Sequence, residues 1–465
     1  MLWVPSLTRN SPEAGARRPR PVRAVVIGAG TFGRGVVVQG ARAPDLEISA
    51  LVDTDVEAAA DAFAAAGFSP DEVTTCETPA DARAAIAAGR RVVTADVEVL
   101  LDGDIDVLVE ATGHAAAGAR HARLAIAHGK HVAMVTKEAD AAVGPILRQR
   151  ADRAGLAYIP VDGDQHGLLI GLVRWARSVG LDVLCGGKTL DGELVTGRTS
   201  PQSAAQSATL SAACFVPAAP GADLRTAVVE RTARLGPAAG AKPWDLTELC
   251  IAANATGLVP DRPGLHCPAL WTSEIPAALC PEDLGGLLGG SGIIDAVQVV
   301  RGSHEVGLGG GVFVVVRVPA AMGKSQFHTE STTSTTDGPA RIGLVTHPQH
   351  LLGIEAISSI LAAALAGPAA GADDYRPRVD VVYRAVRTLR ADDVVGHDHC
   401  PELTAELVEA RPLAPATPLP AGLATGNRLC HDVPAGALIT AAAVTPPPES
   451  DLWDLRAEQD RSFFG

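Results

Sequence analysis

The sequence has few aromatic residues, no Cys-x-x-Cys motif and no long apolar run. Aromatic residues make up 3% of its 465 residues while 47% are hydrophobic, so we expect cores packed mainly from Ala, Val and Leu. The eight cysteines contain no Cys-x-x-Cys pair, and the N-terminus lacks the apolar core of a signal peptide, so we expect reduced thiols in a cytoplasmic protein. No stretch of about 18 apolar residues is free of charges and glycines, which argues against a membrane span.

Positive charge is also scarce. The formal net charge is −14, and no stretch offers the basic stripe that nucleic acids and anionic membranes require. We therefore expect a small-molecule substrate, and neither a nucleic acid nor a membrane as a partner. The length of 465 residues leaves room for roughly two to three domains.

The chain from 22 to 165 alternates apolar runs with Ala-rich helical segments. The runs are AVVIGAG, EISALVD, RVVTA, DVLVEATG, HVAMVTK and LAYIPVDG. This rhythm is typical of a doubly wound parallel sheet, so we predict an α/β protein with an N-terminal Rossmann domain at 22–165. Residues 1–21 are rich in arginine and proline and lack apolar periodicity, which predicts a disordered leader.

The rhythm changes after residue 165. Helical and β-like runs mix over 166–377, which predicts an α+β second domain that closes over the cofactor. Within it, the Ser/Thr-rich stretch 325–340 predicts a mobile surface loop. Short β runs and prolines over 378–447 predict a small β-rich domain, and 448–465 are left as a tail.

A glycine pattern follows the first apolar run. The segment AVVIGAGTFGRG has G-x-G-x-x-G spacing directly after a predicted strand and at the start of a predicted helix. The first glycine permits a tight turn, the second lets backbone amides approach a pyrophosphate, and the third allows close packing of helix on strand. The pattern predicts a dinucleotide site formed by Gly28, Gly30, Thr31, Phe32 and Gly33.

Asp53 ends the second predicted strand, 20 residues after Gly33. An acidic residue there accepts hydrogen bonds from the adenosine ribose and repels a 2′-phosphate, and no Lys or Arg lies between Arg42 and Arg83 to offset it. We therefore predict NAD as the cofactor, with NADP as the alternative. Asp53 could instead cap a helix, although Asp55 is available for that role.

A later strand end meets the same edge of the predicted sheet. The residues that follow Glu110 are expected to lie near the nicotinamide half of the cofactor. They are Ala111, Thr112 and Gly113.

Several longer runs resemble one family. They are KHVAMVTKEADAAVGPIL, GDQHGLLIGLVRWARSVGLDVLCGGKT, IAANATGL and LPAGLATGNRL. Together they resemble the homoserine-dehydrogenase-like oxidoreductases with a C-terminal SAF domain, which include the 1-deoxy-D-xylulose 5-phosphate reductoisomerase-like proteins. The resemblance covers nearly all of 22–444. It implies a Rossmann domain, a catalytic and dimerisation domain, an SAF domain, and NAD(P)-dependent chemistry on polyhydroxylated carbonyl compounds, coupled in some members to a skeletal isomerisation.

The chain departs from that family at three places. The family usually reads GDQP, whereas His166 follows Asp164 and Gln165 here. Where the relatives have a GKG-like turn, this chain reads Gly-Lys188-Thr. Where they have an AKRDL-like segment, this chain reads AVRTL at 385–389, so it lacks the lysine of that segment and any role that this lysine has.

Hydride transfer at a carbonyl needs positive charge and a proton donor near the oxygen. Lys137 follows the strand HVAMVT and matches the lysine that homoserine and sugar dehydrogenases place beside the nicotinamide; the resemblance therefore implies a catalytic role for it. Glu138 is the alternative catalyst at that position. Lys188, among glycines that allow close approach, is a second candidate for holding the substrate oxygen or a phosphate.

The predicted junction between the first two domains carries further polar groups. Asp164 and His166 are candidate catalytic residues there, the first orienting a lysine or hydroxyl and the second as an acid or base, and Gln165 is a candidate substrate ligand. Asn254 either binds a substrate hydroxyl or ends a helix before the next glycine. Glu248, on the same predicted helix as Asn254, could act as an acid/base partner. We favour the interpretation that its side chain lies on an exposed face of that helix.

The run His397-Asp398-His399-Cys400 contains metal-ligand types. It has no second cluster in the sequence, and adjacent residues cannot all reach one tetrahedral ion, so we predict no metal ligand there. A divalent metal held by carboxylates and substrate stays open, because such an ion would assist an isomerisation.

Three functions remain open from the sequence. The first is an NAD(P)-dependent dehydrogenase or reductase of a small polyhydroxylated, sugar-, sugar-acid- or homoserine-like substrate, working as a homodimer or higher homo-oligomer. The second is a metal-assisted reductoisomerase or oxidoisomerase of a similar substrate. The third is a dinucleotide-binding protein without catalytic activity.

Overall fold

The computed structural model describes residues 20–195, 223–235, 245–319, 321, 327, 329–335 and 338–465. The leader predicted for 1–21 therefore lies outside the described residues except at its last two positions. The predicted domain boundaries remain predictions, but the elements they were drawn around can be compared directly.

The first part of the chain forms a sheet of seven parallel strands in the order β3-β4-β2-β1-β5-β6-β7. Helices connect successive strands, as parallel pairing requires. The elements are β1 (Val22–Ile27), α1 (Thr31–Gly40), β2 (Leu46–Val52), α2 (Val56–Ala65), β3 (Val73–Thr75), α3 (Pro79–Ala87), β4 (Arg91–Thr94), α4 (Glu98–Leu101), β5 (Val107–Glu110), α5 (Ala115–Ala127), β6 (His131–Met134), α6 (Lys137–Arg153) and β7 (Tyr158–Pro160).

Both faces of this sheet are buried. Along β1, Val22, Ala24 and Val26 face one apolar cluster while Val25 and Ile27 face another, which is the alternation expected of a strand covered on both sides. The sheet is therefore the doubly wound α/β sheet that the sequence predicts.

The second part carries a mixed sheet. Its main path runs β10-β12-β8-β13-β15-β14, with β8 parallel to β12 and antiparallel to β13. The elements are α7 (Gln165–Ser178), β8 (Asp182–Thr189), β9 (Leu194–Val195), α8 (Leu224–Leu235), α9 (Leu246–Thr256), β10 (Val259–Pro260), β11 (Ala269–Trp271), α10 (Ile275–Ala278), β12 (Ile293–Arg301), β13 (Val312–Val318), β14 (Glu330–Thr335), β15 (Gly338–His347) and α11 (Ala356–Ala366).

α11 returns to the first sheet. Its residues Ala356, Ile360 and Ala363 belong to the apolar cluster that covers one face of the Rossmann strands. The chain therefore packs against the first sheet again after it has formed the second.

The third part is small and rich in short β pairings. Its elements are β16 (Val379–Ala385), β17 (Leu403–Glu409), α12 (Ala421–Ala424) and α13 (Asp451–Phe464). Isolated bridges such as Val382 to Pro420 and Leu389 to Val433 tie its loops together. Its apolar residues join the cluster that also contains α6, α7 and α9, so the three parts share one continuous core.

Two stretches differ from the sequence predictions. The range 325–340, predicted as a loop, contains β14 and the start of β15, which pair antiparallel from Glu330 opposite Gly343. Threonine is β-branched and favours strands, so the polarity of this stretch wrongly indicated a loop. The range 448–465, predicted as a tail, contains α13, whose fully buried Arg456 pairs with Asp380 at 2.7 and 2.8 Å.

Candidate active site

The loop between β1 and α1 has the geometry that a dinucleotide needs. Gly28 has φ +101°, which side chains rarely adopt, and a Cβ there would lie 2.5 Å from the carbonyl oxygen of Ala111. A Cβ on Gly33 would lie 1.9 Å from the Gly28 carbonyl oxygen, so only glycine lets the helix sit this close to the strand. A Cβ on Gly30 would meet nothing within 4 Å. Gly30 is the glycine that must face a pyrophosphate, and it is the one with open space in front of it. The loop therefore fits a dinucleotide cofactor.

Thr31 and Phe32 begin α1 beside this space, with Thr31 exposed and Phe32 half-buried. No side chain caps the helix at Gly30, so its first backbone amides are available to phosphate oxygens.

Asp53 follows β2 and holds the loop from the other side. Its Oδ2 accepts a hydrogen bond from the backbone N–H of Ala29 at 2.6 Å, and its Oδ1 accepts one from that of Asp55 at 2.9 Å. Each carboxylate oxygen retains a second lone pair for a ribose hydroxyl. Asp55 caps α2 by accepting from Glu57 and Ala58, which leaves Asp53 free of the capping role.

The turn after β5 lies against the same loop. Ala111 contacts Gly28 as described, the hydroxyl of Thr112 donates to Glu110 at 2.7 Å, and Gly113 has φ +72° with open space around its Cβ position. The backbone N–H of Gly113 donates to the hydroxyl of Thr136 at 2.9 Å, which joins this turn to the residue before Lys137.

Two lysines meet at one glutamate next to that edge. Lys137 begins α6, Lys188 lies on β8 and Glu248 lies in the first turn of α9. The ammonium of Lys137 is 2.8 Å from Oε1 of Glu248, and that of Lys188 is 2.6 Å from Oε2. Lys188 and Glu248 are each 3% exposed, so this bridge is shielded from water.

Two further carboxylates surround Lys137. Asp245 lies 3.0 Å and Asp164 4.0 Å from its ammonium. Burial lowers the pKa of Lys137, but the attraction of Glu248, Asp164 and Asp245 outweighs burial and raises it well above its usual value. In turn, Lys137 and Lys188 hold the pKa of Asp245 below its usual range despite burial. Lys137 is therefore a permanent positive charge in this cluster.

His166 is the second residue of α7 and lies within the influence of the charges of this cluster. It is 1% exposed, and neither ring nitrogen has a hydrogen-bond partner among the described residues. Burial lowers its pKa to about 4, and the charges acting on it are those of Glu248, Lys137, Lys188 and Asp245. The imidazole is neutral at physiological pH and is a weaker base than an exposed histidine.

Glu138 follows Lys137 and is half-buried. Burial raises the pKa of its carboxyl, and the carboxylates of Asp245 and Asp398 raise it further. Glu138 therefore lies close to the same cluster, and its burial disfavours the ionised form of its carboxyl.

Two predicted substrate ligands are occupied by the protein itself. The amide nitrogen of Gln165 donates to the backbone carbonyls of Thr189 and Gly311, both at 2.9 Å, and so ties α7 to β8. Asn254 is 1% exposed; its nitrogen donates to Val379 at 3.0 Å, and its oxygen accepts from Val379 at 2.9 Å and from a neighbouring backbone amide. The polar atoms of Asn254 therefore hold the start of β16, and its role as a ligand of a substrate hydroxyl stays a prediction.

Sequence reasoning placed Glu248 on an exposed helix face and did not single out Asp245. The first interpretation is wrong, because α9 is buried on all sides from Leu246 to Thr256 apart from Thr247. The sequence did contain one signal that Glu248 is buried, namely the apolar run around it. A charged side chain in such a run needs a buried partner.

The loop at 397–400 of the third part reaches this cluster. The carboxylate of Asp398 accepts a hydrogen bond from the backbone N–H of Asp245 at 3.0 Å. Nε2 of His399 lies 3.5 Å from Oδ1 of Asp245 and 3.5 Å from Oδ1 of Asp398. Three parts of the chain thus contribute to one cluster of polar side chains.

Two segments match known families. Residues 28–160 match the family model of the homoserine dehydrogenase NAD-binding domain, and residues 237–356 match that of the catalytic domain of the oxidoreductase DRL. No curated protein matches the chain.

Several solved structures are similar in fold. The 1-deoxy-D-xylulose 5-phosphate reductoisomerase of Zymomonas mobilis, in complex with NADPH, is 22% identical over 50% of this chain and 58% of its own, with a TM-score of 0.30. The WlbA dehydrogenase of Bordetella pertussis, in complex with NADH and UDP-GlcNAcA, is 18% identical over 37% and 47%, with a TM-score of 0.27. The myo-inositol dehydrogenase of Lactobacillus casei, in complex with NAD(H) and myo-inositol, is 18% identical over 40% and 50%, with a TM-score of 0.28. The chain thus spans about half the length of these proteins.

The matched families support the predicted enzyme class. One segment of the chain matches a homoserine dehydrogenase NAD-binding domain, and another matches an oxidoreductase catalytic domain. Within the described residues, no helix is both long and apolar enough to cross a bilayer. The SAF assignment, the oligomer, the cytoplasmic location and the preference for NAD over NADP stay predictions.

Proposed function

We propose that this protein is an NAD(P)-dependent oxidoreductase that acts on a carbonyl or alcohol carbon of a small, polyhydroxylated, uncharged substrate bound at Lys137. The observation that carries the proposal is the bridge by which Glu248 holds the ammonium groups of Lys137 and Lys188. A rigid pair of ammonium groups next to a dinucleotide-binding edge is the arrangement that a developing alkoxide requires.

The two lysines have different access to a ligand. The side chain of Lys137 is 20% exposed, whereas that of Lys188 is 4% exposed. We therefore assign the contact with the substrate oxygen to Lys137, and assign to Lys188 the role of fixing Glu248 from behind. A bound nicotinamide would donate or accept the hydride, while Lys137 stabilises the charge on the oxygen through a hydrogen bond.

The balance of charge supports an uncharged substrate. The two ammonium groups face three carboxylates, those of Asp164, Asp245 and Glu248. A phosphate or carboxylate would meet a surplus of negative charge there, whereas hydroxyl groups can donate to carboxylates and accept from ammonium. His166, neutral and without a partner, offers one more donor and acceptor to a hydroxyl or a water.

The test is turnover of a panel of polyols, aldoses and ketoses with NAD and with NADP, followed by the absorbance of the reduced nicotinamide. For Lys137→Met, which keeps length but loses charge, we expect kcat/KM to fall by about 100-fold or more, as when an oxyanion donor is removed. Cofactor affinity should not change, because the polar partners that the structure gives Lys137 among its described residues are Glu248, Asp245 and Asp164, which lie outside the glycine loop.

Lys130→Met is the matched control. Lys130 lies before β6 in the same unit, and its ammonium donates to the carbonyl of Gly103 at 2.8 Å, outside the cluster. Unchanged kcat/KM in the Lys137 variant would overturn the assignment. Tight cofactor binding without turnover of any substrate would favour the alternative of a catalytically inactive dinucleotide-binding protein, and loss of turnover on exhaustive chelation would favour the metal-assisted isomerase.

A further inference from the structure

The run GLVRWARSVG contains two arginines that the proposed reaction does not use. In the structure Arg174 and Arg177 lie in the last two turns of α7 and line a cavity of about 420 Å³, together with the last residues of α9. Arg378, which precedes β16, lines the same cavity. Three guanidinium groups therefore meet where α7, α9 and the start of the third part come together.

The cavity has more positive than negative side chains. Its two carboxylates each have an arginine as a partner: Asp374 lies 2.6 Å from Arg378, and Asp373 lies 3.4 Å from Arg174. Arg177 is the third arginine, and it forms no ion pair within the part of the chain that the structure describes. One positive charge of the cavity is thus left without a counter-charge, in a protein whose formal net charge is −14.

The guanidinium of Arg177 is held by the protein at one point. It donates a hydrogen bond to the carbonyl oxygen of Thr256, the last residue of α9, at 2.6 Å. A guanidinium has five N–H donors, so Arg177 keeps donors for a ligand or for water, and its partial exposure lets a ligand reach it. Burial and the positive charge of Arg378 both lower the pKa of Arg177, so a bound anion would stabilise its charged form.

The size and the chemistry of the cavity indicate a class of ligand. Arginine binds phosphate and carboxylate groups through paired N–H donors. The volume lies in the range of pockets that hold small organic molecules. The carboxylates of Asp373 and Asp374 can accept hydrogen bonds from hydroxyl groups of the same molecule. The cavity therefore suits a small hydroxylated molecule that carries a phosphate or a carboxylate group.

The cavity is separate from the lysine cluster. Glu248 lies in the first turn of α9 and Thr256 at its end, eight residues later, which is about 12 Å along the helix axis. In the same way α7 runs from His166, which is under the influence of the cluster's charges, to Arg177 near its other end. A ligand in the cavity would therefore contact the far ends of two helices that begin at the cluster.

We infer that this cavity, between the C-terminal ends of α7 and α9 and the chain before β16, is a second ligand site that binds a small organic anion through Arg177. The inference does not rest on the proposed function, because none of the residues that carry it belongs to the lysine cluster or to the glycine loop.

The test is calorimetric titration of the full-length protein with sodium phosphate and, separately, with sodium malonate. The protein is first saturated with NAD or NADP, whichever binds more tightly, so that the glycine loop is occupied, and a titration with sodium chloride gives the heat of dilution. The wild type should bind one anion per chain in a saturable manner. The probe that binds more tightly identifies the group, phosphate or carboxylate, that the site takes.

Arg177→Gln keeps a donor for the carbonyl of Thr256 but loses the charge. This variant should bind the probe about tenfold more weakly or worse, because a charge-assisted hydrogen bond is lost. Arg153→Gln is the matched control, since Arg153 is an exposed arginine at the end of α6 and does not line the cavity. It should bind the probe as the wild type does.

Lys137→Met tests whether the anion binds at the lysine cluster instead, and it should also bind the probe as the wild type does. Thermal unfolding checks that all three variants fold. The inference is overturned by the absence of saturable binding of both probes, by equal binding in Arg177→Gln and the wild type, or by loss of binding in Lys137→Met. Because the readout is heat of binding and not turnover, a failure here is distinct from a failure of the proposed hydride-transfer role.

Discussion

The dinucleotide loop and the lysine cluster are built in different ways. The loop is local: its glycines lie within six residues, and Asp53 reaches it from the next strand. The cluster is assembled from distant segments, with Lys137 and Glu248 111 positions apart and Lys188 and Glu248 60 positions apart. The loop depends on backbone conformation, which each glycine permits on its own, whereas the cluster depends on charges that stabilise one another only after the parts have packed.

Gly33→Ala should have the largest effect. The new Cβ would lie 1.9 Å from a backbone oxygen that cannot move without breaking the loop. We expect the free energy of unfolding to fall by about 3 kcal/mol, as in an overpacked core, and cofactor binding to be lost. Chemical denaturation and fluorescence titration with NAD measure the two quantities.

Gly30→Ala is the matched control for that loop. Its Cβ meets nothing within 4 Å, so stability should be unchanged. Cofactor affinity should still fall, because the methyl group enters the space that a pyrophosphate needs. Full affinity in this variant would mean that the pyrophosphate does not approach Gly30.

Glu248→Gln tests the assembled region. A glutamine presents an NH₂ group to one of two ammonium ions, so Lys137 loses one of its three carboxylate partners and Lys188 is left buried without a counter-charge. We expect kcat to fall by about 100-fold and stability by about 3 kcal/mol, with cofactor affinity unchanged. Steady-state kinetics on the folded protein separates the first effect from the second.

Glu274→Gln is its control. Glu274 forms a buried ion pair with Arg231, 2.8 Å between Oε1 and a guanidinium nitrogen, away from the cluster. This variant should lose stability in a similar way but keep kcat. Equal loss of kcat in both variants would show that Glu248 acts only through folding.

The two regions also differ in how far the sequence predicts them. Spacing identifies Gly28, Gly30 and Gly33 because a local turn needs those residues at fixed offsets. Lys137 and Lys188 are predictable as lysines at strand ends, but nothing in the sequence pairs them through Glu248. That pairing depends on how α9 packs, and a helix buried on all sides has no polar face to show its orientation.

The polarity of the Ser/Thr-rich stretch was a source of error elsewhere, because it was interpreted as a sign of a loop. In the structure the backbone of β14 pairs with β15. Asn254 was predicted either to bind a substrate hydroxyl or to end a helix, and its side chain binds backbone groups of β16. The contact of Asn254 depends on a segment remote in sequence, which local patterns do not report.

The stability of the cluster should depend on pH through His166. Its pKa is lowered from 6.5 to about 4 by burial, so the unfolded chain binds more protons than the folded protein between these values. Stability therefore rises as pH increases from about 4 to 6.5 and is fully present above that window, with a contribution of about 1.4 kcal/mol per pH unit at its steepest.

His166→Gln keeps a polar side chain but does not titrate there. Denaturation of both proteins across pH 4 to 7 isolates the contribution of His166 as the difference between the two curves. Parallel curves would mean that the pKa of His166 is the same in the folded and the unfolded protein, and the cluster would then be more open to water than its burial indicates.

Asp53→Asn should have the smallest effect, and it acts on the local region. The amide keeps the shape and one of the two backbone hydrogen bonds that Asp53 accepts, but it loses the other and the charge that repels a 2′-phosphate, so we expect the preference for NAD over NADP to narrow. The change should be limited to a few-fold, because no Lys or Arg between 43 and 82 is there to bind the phosphate.

Asp55→Asn is the control, since Asp55 caps α2 at the same turn and should alter helix stability without altering cofactor choice. Equal cofactor preference in the wild type would remove Asp53 from the ribose site and leave it the structural task of holding Ala29.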